Sequence, residues 1–246
     1  MILLTFLVAV LAGATAAIAG FGIGSLLTPL LAVSLGTRLA VAAVAIPHAV
    51  ASALRAWRLR AAIDWTVLQR FGVLSAAGGL VGGLLYARLA NRVLTGVLGA
   101  LLIATAVAGV TGWTSRWRPG GRRAHLLGIL SGLFGGVVGN QGGLRAAALM
   151  TFGLAPVVFV ATSTVTGLMV DAARTPIYLV RAGGALLGAG DLILAATAGV
   201  VAGTLLGERL LLGLSADRFR QVIAVLIGLV GVLLLLQPFS YNVGIE

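Results

Sequence analysis

The residues best suited to bind a ligand form one glycine-rich segment in the second half of the chain, Gly139-Asn140-Gln141-Gly142-Gly143-Leu144-Arg145. It carries two carboxamides and a guanidinium between apolar stretches. An unpaired charge at membrane depth costs about 3 kcal/mol or more, so an arginine here predicts an ionic partner. We therefore expect an anion to contact Asn140, Gln141, Gly142, Gly143 and Arg145.

A similar segment in the first half, Gly20-Phe21-Gly22-Ile23-Gly24-Ser25, has alternating glycines that permit close backbone approach. A short helix starting at Ser25 would direct unpaired N–H groups and the positive end of its dipole at an anion. The candidate ligands here are Gly22, Gly24, Ser25 and Thr28. The alternative is simple helix packing, because Gly78/Gly82 and Gly199/Gly203 have the same spacing of four without converging polar residues.

A third set of polar residues, Asp171, Arg174 and Tyr178, follows i, i+3, i+7 spacing on one helix face, which Ser163 and Gly167 extend. Arg145, Arg174 and Asp171 sum to one positive charge, which an anion would neutralise. The alternative is a purely structural Asp171–Arg174 pair.

His48 follows Pro47 in another apolar stretch. It is either a proton carrier, together with Asp171, or a packed residue at a helix kink.

The elements that position these residues must cross a membrane. The 246-residue chain is 60% hydrophobic and only 9% charged, with a mean hydropathy of +1.12. A water-soluble fold cannot bury that much apolar surface. Apolar stretches of spanning length recur throughout, so the sequence predicts an all-α polytopic membrane protein.

Composition also excludes several functions. The net charge of +11 comes from arginines grouped at the ends of apolar segments, which is typical of membrane-flanking charge and not of nucleic-acid binding. The chain has no lysine, hence no P-loop, and no cysteine. His48 and His125 are far apart in sequence, so we expect no metal site and no cofactor. Residues 1–20 lack a basic start, which favours a first helix over a signal peptide.

The chain also has an internal repeat. Gly139 and Gly153 stand 117 positions after Gly22 and Gly36. We predict one membrane domain (residues 1–246) made of two repeats, 1–118 and 119–246. Each repeat comprises a broken-helix hairpin that enters the membrane and returns, followed by three full spans, giving eight to ten helical segments in all.

The arginines indicate how these repeats are oriented. The hairpin topology inverts one repeat relative to the other and divides fifteen arginines eleven to four; counting each hairpin as a crossing divides them nine to six. The stronger bias favours inverted repeats with both termini outside the cytoplasm. The cytoplasmic group is Arg55, Arg58, Arg60, Arg70, Arg116, Arg118, Arg122, Arg123, Arg209, Arg218 and Arg220, and the opposite group is Arg38, Arg88, Arg92 and Arg181.

Residues 20–31, Gly-Phe-Gly-Ile-Gly-Ser-Leu-Leu-Thr-Pro-Leu-Leu, together with Ile63-Asp64-Trp65 and the second glycine-rich break, resemble the TauE/SafE family of sulfite and organosulfonate exporters. The resemblance implies a multi-pass exporter of sulfur-containing anions in the bacterial inner membrane. In that family the second break is more usually a glycine run followed by proline. Here Asn140, Gln141 and Arg145 occur instead and Ala146 matches Pro29, so the substrate need not be sulfite.

The resulting hypothesis is a secondary transporter, not an enzyme, that exports a small organic or sulfur-containing anion bound between the two breaks. Its partners are the anion and the lipid bilayer, with a homodimer left open. An anion channel or a non-catalytic assembly protein is the main alternative, because broken helices also build pores. An intramembrane hydrolase with Ser25 as nucleophile and His48 as base is a further alternative.

Overall fold

The computed structural model describes residues 1–112 and 122–210 and the short pieces 228–229, 231–232 and 235–236. Within them the chain is helical, as predicted. The nine helices in the described ranges are α1 (Ile2–Ala19), α2 (Ile23–Leu35), α3 (Thr37–Arg58), α4 (Trp65–Arg88), α5 (Asn91–Thr111), α6 (Arg122–Val138), α7 (Gly142–Leu149), α8 (Pro156–Gly188) and α9 (Gly190–Leu210).

Six of the described helices are long and apolar enough to cross a membrane: α1, α3, α4, α5, α8 and α9. Their outer faces carry large apolar side chains; Val180 and Leu187, for example, are each 84% exposed. Such surface requires lipid as its solvent. The polytopic membrane fold is thereby confirmed.

The helices after the two breaks are short, as predicted. α2 has 13 residues and α7 has 8, which correspond to roughly 20 and 12 Å at 1.5 Å per residue. Neither reaches across a hydrocarbon core of about 30 Å. α1, in contrast, is by itself long enough to cross.

Two helix pairs are packed through glycine. On α4 and α6, a Cβ added to Gly82 would overlap the Leu133 carbonyl oxygen. On α1 and α9, a Cβ added to Gly203 would overlap the Val10 carbonyl oxygen in the same way. The glycines at Gly78/Gly82 and Gly199/Gly203 therefore serve backbone-to-backbone packing.

This pairing follows the 117-residue offset. α6 is the counterpart of α1, and α9 is the counterpart of α4, so each pair joins the first helix of one half to the fourth helix of the other. The matched glycines also share a positive φ, which is 135° at Gly22, 73° at Gly139, 75° at Gly36 and 63° at Gly153. The repeat boundaries and the orientation of the halves in a membrane stay predictions.

Side-chain contacts show which helix ends lie together. The Arg38 backbone N–H donates to Asn91 Oδ1 (2.8 Å), and its guanidinium donates to the Leu89 carbonyl, which joins the start of α3 to the α4–α5 turn. The Phe152 ring lies 6.2 Å from Phe71 and 6.3 Å from His125, beside the starts of α4 and α6. The chain after the second break thus returns to the end from which α6 starts, and the hairpin within the membrane stays a prediction.

Candidate functional site

The two glycine-rich breaks cross each other in the protein interior. α1 ends at Ala19 and α2 begins after Gly22, while α6 ends before Gly139 and α7 begins at Gly142. A Cβ added to Gly24 would overlap the Gly139 carbonyl oxygen. Only glycine at position 24 permits this approach, so Gly24 is needed for contact between the two breaks.

A direct hydrogen bond ties the breaks together. Ser25 Oγ donates to Asn140 Oδ1 at 3.0 Å, and both side chains are buried. Residues 115 positions apart in the sequence therefore belong to one site.

A small polar cavity lies at this crossing and has room for roughly one water molecule. Eight of the residues predicted from the sequence line it: Gly22, Gly24, Ser25, His48, Asn140, Gln141, Gly142 and Arg145. Phe21 and Gly139 line it as well and had not been singled out as ligands. Thr28, Gly143, Asp171, Arg174 and Tyr178 are not part of its lining.

Arg145 reaches from α7 toward α8 and the first break. Its side chain is 2% exposed. Nε donates to Ser163 Oγ at 3.0 Å and Nη2 donates to the Gly20 carbonyl at 3.2 Å, while Nη1 has no partner within the described residues. A Cβ added to Gly167 would lie 2.7 Å from Nη1. The small residues on α8 thus leave space for the guanidinium, which keeps both N–H groups of Nη1 free.

The two carboxamides beside Arg145 also have unused hydrogen-bonding capacity. Asn140 Nδ2 and both Gln141 side-chain heteroatoms, Nε2 and Oε1, are buried without a partner in the part of the chain that the structure describes. The Gln141 backbone carbonyl is separately engaged, because Ser131 Oγ donates to it at 3.0 Å. Buried polar groups without partners are costly, and a ligand would satisfy them.

Asp171 connects α3 to α8. Its Oδ2 accepts from His48 Nδ1 at 2.5 Å, and its Oδ1 accepts from Arg174 Nε (3.1 Å) and Nη2 (2.8 Å). Arg174 Nη1 donates to the Gly135 carbonyl, so all three guanidinium nitrogens are used. The i, i+3 pairing predicted from the sequence is present, but Arg174 has no nitrogen without a partner to offer a ligand in this conformation.

Tyr178 lies behind the same pair. Its hydroxyl donates to the Gly136 carbonyl, and the Arg174 guanidinium carbon lies 5.6 Å from its ring centre. On its other side the Tyr86 ring lies 4.4 Å away. Tyr178 therefore supports Arg174 and α6 and is absent from the cavity wall.

Two further candidates lie near the crossing without lining the cavity. Thr28 is fully buried, and its Oγ1 lacks a partner among the described residues. Gly143 faces Thr105 of α5, whose methyl and hydroxyl groups would each lie 3.3 Å from an added Cβ. Gly143 is thus a packing residue between α7 and α5.

The geometry does not favour hydrolysis. Ser25 Oγ donates to Asn140 Oδ1 and not to His48, so within the described residues no Ser–His hydrogen bond activates a nucleophile. The described part of the chain also contains no cluster of three His, Cys, Asp or Glu side chains suited to a metal ion.

The sequence pattern predicts Ser163 only as an extension of the Asp171 face, and it predicts neither Phe21 nor the Gly20 carbonyl as part of the site. Ser163 contacts both Gly20 and Arg145. A serine on the same face as Asp171 was a usable signal. Phe21 carried none, because an aromatic residue between glycines has no pattern that distinguishes a cavity wall from a lipid contact.

Comparison with known proteins identifies a family. The sequence model of the family described as "Sulfite exporter TauE/SafE" matches residues 5–234, nearly the whole chain. No curated protein and no solved structure matches significantly.

Proposed function

Since the chain belongs to the TauE/SafE sulfite exporter family, whose members are membrane transporters and not enzymes, we propose that it is a secondary exporter of a small sulfur-containing or other organic anion. The anion binds at the crossing of the two breaks. A sulfonate or sulfite group suits this site because it carries negative charge and several hydrogen-bond acceptors.

The observation that carries the proposal is the set of unused donors around one cavity. Arg145 Nη1, Asn140 Nδ2 and Gln141 Nε2 are all buried without a partner in the described chain. A guanidinium and two amides form charge-assisted and neutral hydrogen bonds to an oxyanion. The start of α7 adds the positive end of a helix dipole.

Each residue then has a distinct role. Arg145, Asn140 and Gln141 bind the anion, with Ser25 as a further ligand once its bond to Asn140 rearranges. Gly24 permits the backbones of the two breaks to approach, and Gly142 leaves room for the Phe21 side chain of the first break. Gly22 has a φ of 135°, which favours glycine at the start of α2. Irregular backbone at membrane depth is tolerated where it lines such a protected cavity.

The anion does not contact Asp171, Arg174 or Tyr178, which support the residues and helices around the cavity. The Asp171–Arg174 pair supports α8, and Tyr178 holds Arg174 against α6. Asp171 also positions His48, which reaches the cavity wall. His48 with Asp171 is the candidate proton-coupling pair, because imidazole titrates near neutral pH.

The cavity is too small for a sulfonate in this conformation. Binding therefore requires the breaks to move apart, which suits a transporter that alternates between closed and open states. A channel needs a continuous open path, so an anion channel is the second candidate function and is the less supported one.

Counterflow in proteoliposomes tests the proposal. Vesicles loaded with unlabelled sulfoacetate should accumulate labelled sulfoacetate or sulfite transiently and with saturation, and chloride should not compete. Arg145→Gln should abolish the exchange, whereas Arg181→Gln, which removes an exposed arginine of α8, should leave it intact. Absence of saturable exchange for every anion tested, or a non-saturating conductance, would refute the proposal.

The protein's cellular setting also remains a proposal. The chain is a multi-pass membrane protein, and we place it in the bacterial inner membrane with both termini outside the cytoplasm. Fractionation of inner and outer membranes tests the first point. Crosslinking of the purified protein in lipid nanodiscs tests whether it forms the homodimer left open above.

A further inference from the structure

Arg55 departs from the behaviour expected of a membrane-flanking arginine. It lies in the last turn of α3, next to the exposed Trp57, Arg58 and Arg60, yet its side chain is only 4% exposed. A charged side chain at a helix end normally extends to the headgroup region. Arg55 instead points into the protein.

The buried guanidinium of Arg55 is almost without partners. Nε and Nη1 have none in the described residues, and Nη2 makes a single long contact of 3.4 Å with Ser52 Oγ. Arginines near a helix C-terminus often bond the last carbonyls of the helix, but Arg55 forms no such bond within the described chain. Asp171, a buried carboxylate, does not neutralise Arg55, because it is bound to His48 and Arg174.

The position of Arg55 relates it to the central cavity. His48, Ser52 and Arg55 follow i, i+4, i+7 spacing and are all buried, so they form one polar face of α3. Seven residues of helix correspond to roughly 10 Å, at 1.5 Å per residue. Arg55 therefore lies about two turns from the cavity, toward the end of α3 that carries Arg58 and Arg60.

Charge adds a further argument. The buried ionic side chains of the described chain are Arg55, Arg145, Arg174 and Asp171, three guanidinium groups against one carboxylate. A bound anion at Arg145 offsets one excess charge and leaves the charge of Arg55. Retaining a buried, unpaired charge is expensive unless something binds it.

We propose that Arg55 forms a second anion-binding station, in which a small sulfonate or oxyanion rests between the Arg58/Arg60 end of α3 and the central cavity. This inference rests on the proposed transport function and extends it. The station attracts anions from the aqueous end and passes them along the His48–Ser52–Arg55 face. Arg55 would thus raise the local anion concentration without contacting the centrally bound substrate.

The absence of native cysteine permits a test that does not depend on the identity of the substrate. Ser52→Cys places a thiol beside Arg55 with little change in volume. The thiol is modified by an anionic methanethiosulfonate, the sulfonatoethyl reagent, and separately by a cationic one, the trimethylammonium reagent. Each modification rate is divided by the rate at which the same reagent modifies a free thiol in solution. The normalised anionic rate should exceed the cationic rate by about tenfold, equivalent to 1.4 kcal/mol.

Second-site variants then identify the source of this preference. Arg55→Gln on the Ser52→Cys background should remove the anionic preference, whereas Arg55→Lys should retain most of it. Arg60→Gln is the matched control, because it removes an exposed arginine from the same end and should leave the preference unchanged. A thiol at position 52 that reacts with neither reagent, or a preference that survives Arg55→Gln, would overturn the proposal.

Flux provides a second measurement. Arg55→Gln should raise the KM for sulfoacetate by roughly tenfold with a nearly unchanged maximal rate, since it weakens capture and spares the central site. Arg145→Gln should abolish flux. If no anion is transported by the unaltered protein, the transport proposal fails, while the thiol-labelling preference still decides whether Arg55 attracts anions. If flux is present and Arg55→Gln leaves KM unchanged, the station proposal fails on its own.

Discussion

Nδ1 of His48 on α3 donates to Oδ2 of Asp171 on α8 at 2.5 Å, although the two residues are 123 positions apart. The same carboxylate accepts two hydrogen bonds from Arg174. The contact joins a residue of the cavity wall to the ion pair behind it. A change in the protonation of His48 would therefore alter the hydrogen bonding both at the cavity wall and at Asp171 of α8.

The first prediction concerns proton coupling at His48. His48→Gln retains an amide that can donate to Asp171 but cannot be protonated near neutral pH. We expect transport driven by a pH gradient to be lost and counterflow to persist, because exchange moves no net proton. Both are measured in the same proteoliposomes. Undiminished stimulation by the pH gradient in His48→Gln would make His48 a packing residue.

The second prediction concerns Arg145 as the main anion ligand. Arg145→Gln should eliminate substrate-induced stabilisation, a loss of at least about tenfold in affinity, because it removes a charge-assisted donor. The melting temperature without substrate should change little, since the lost bonds to Ser163 and Gly20 are offset by removal of a buried charge. Thermal melts with and without sulfoacetate measure both quantities.

Arg145→Lys serves as the matched variant because it keeps the charge but loses the fork of donors. It should retain weakened stabilisation by sulfoacetate. Full stabilisation of Arg145→Gln by the anion would remove Arg145 from the set of ligands.

The third prediction concerns the contact between the breaks. Gly24→Ala adds a Cβ that overlaps the Gly139 carbonyl oxygen. We expect about 1–3 kcal/mol of destabilisation, the usual range for overpacking, and loss of transport. Gly96→Ala on α5 is the control, because nothing lies within 4 Å of its added Cβ. It should be neutral or stabilising by up to about 1 kcal/mol. Equal melting temperatures for the two variants would contradict the close crossing.

The fourth prediction separates structure from substrate binding at Asp171 and Arg174. Removing Arg174 alone leaves a buried carboxylate with only His48, so Arg174→Gln should cost about 3 kcal/mol or more. Asp171→Asn combined with Arg174→Gln should recover much of that loss, since no lone charge remains. A double-mutant cycle in thermal stability measures this.

Transport by the same variants is then measured as flux in proteoliposomes. All three Arg174 nitrogens are occupied, so we expect flux to recover together with stability in the double mutant. Recovered folding without recovered flux would instead assign Arg174 to the substrate.

The fifth prediction is topological. Single cysteines can be introduced into this cysteine-free chain at Arg122, at the start of α6, and at Arg181 on α8. Inverted repeats require Arg122 to face the cytoplasm and Arg181 to face outside. A membrane-impermeant maleimide applied to intact cells should label only the cysteine at 181. Labelling at 122 with protection at 181 would exclude the inverted arrangement. The neighbouring Arg116 and Arg118 lie outside the described residues.

The sequence by itself determined the membrane class, the short helices after the breaks and the Asp171–Arg174 pairing. These depend on local quantities: mean hydropathy, the length of apolar runs, and i, i+3 spacing on one helix. The family likeness was also readable, because its motif is a contiguous run from Gly20 to Leu31. Glycine at position 24 was conspicuous, but whether it served packing or a site was not readable from spacing alone.

Only the tertiary structure decided which residues meet. Ser25 meets Asn140 and His48 meets Asp171 because helices from different halves of the chain cross, and sequence separation has no bearing on that crossing. The same holds for Arg55, whose position at a helix end predicts a headgroup contact. Which face of α3 is covered by α8 is fixed by packing across the whole bundle, and that packing buries Arg55, His48 and Ser52 on one side of the helix.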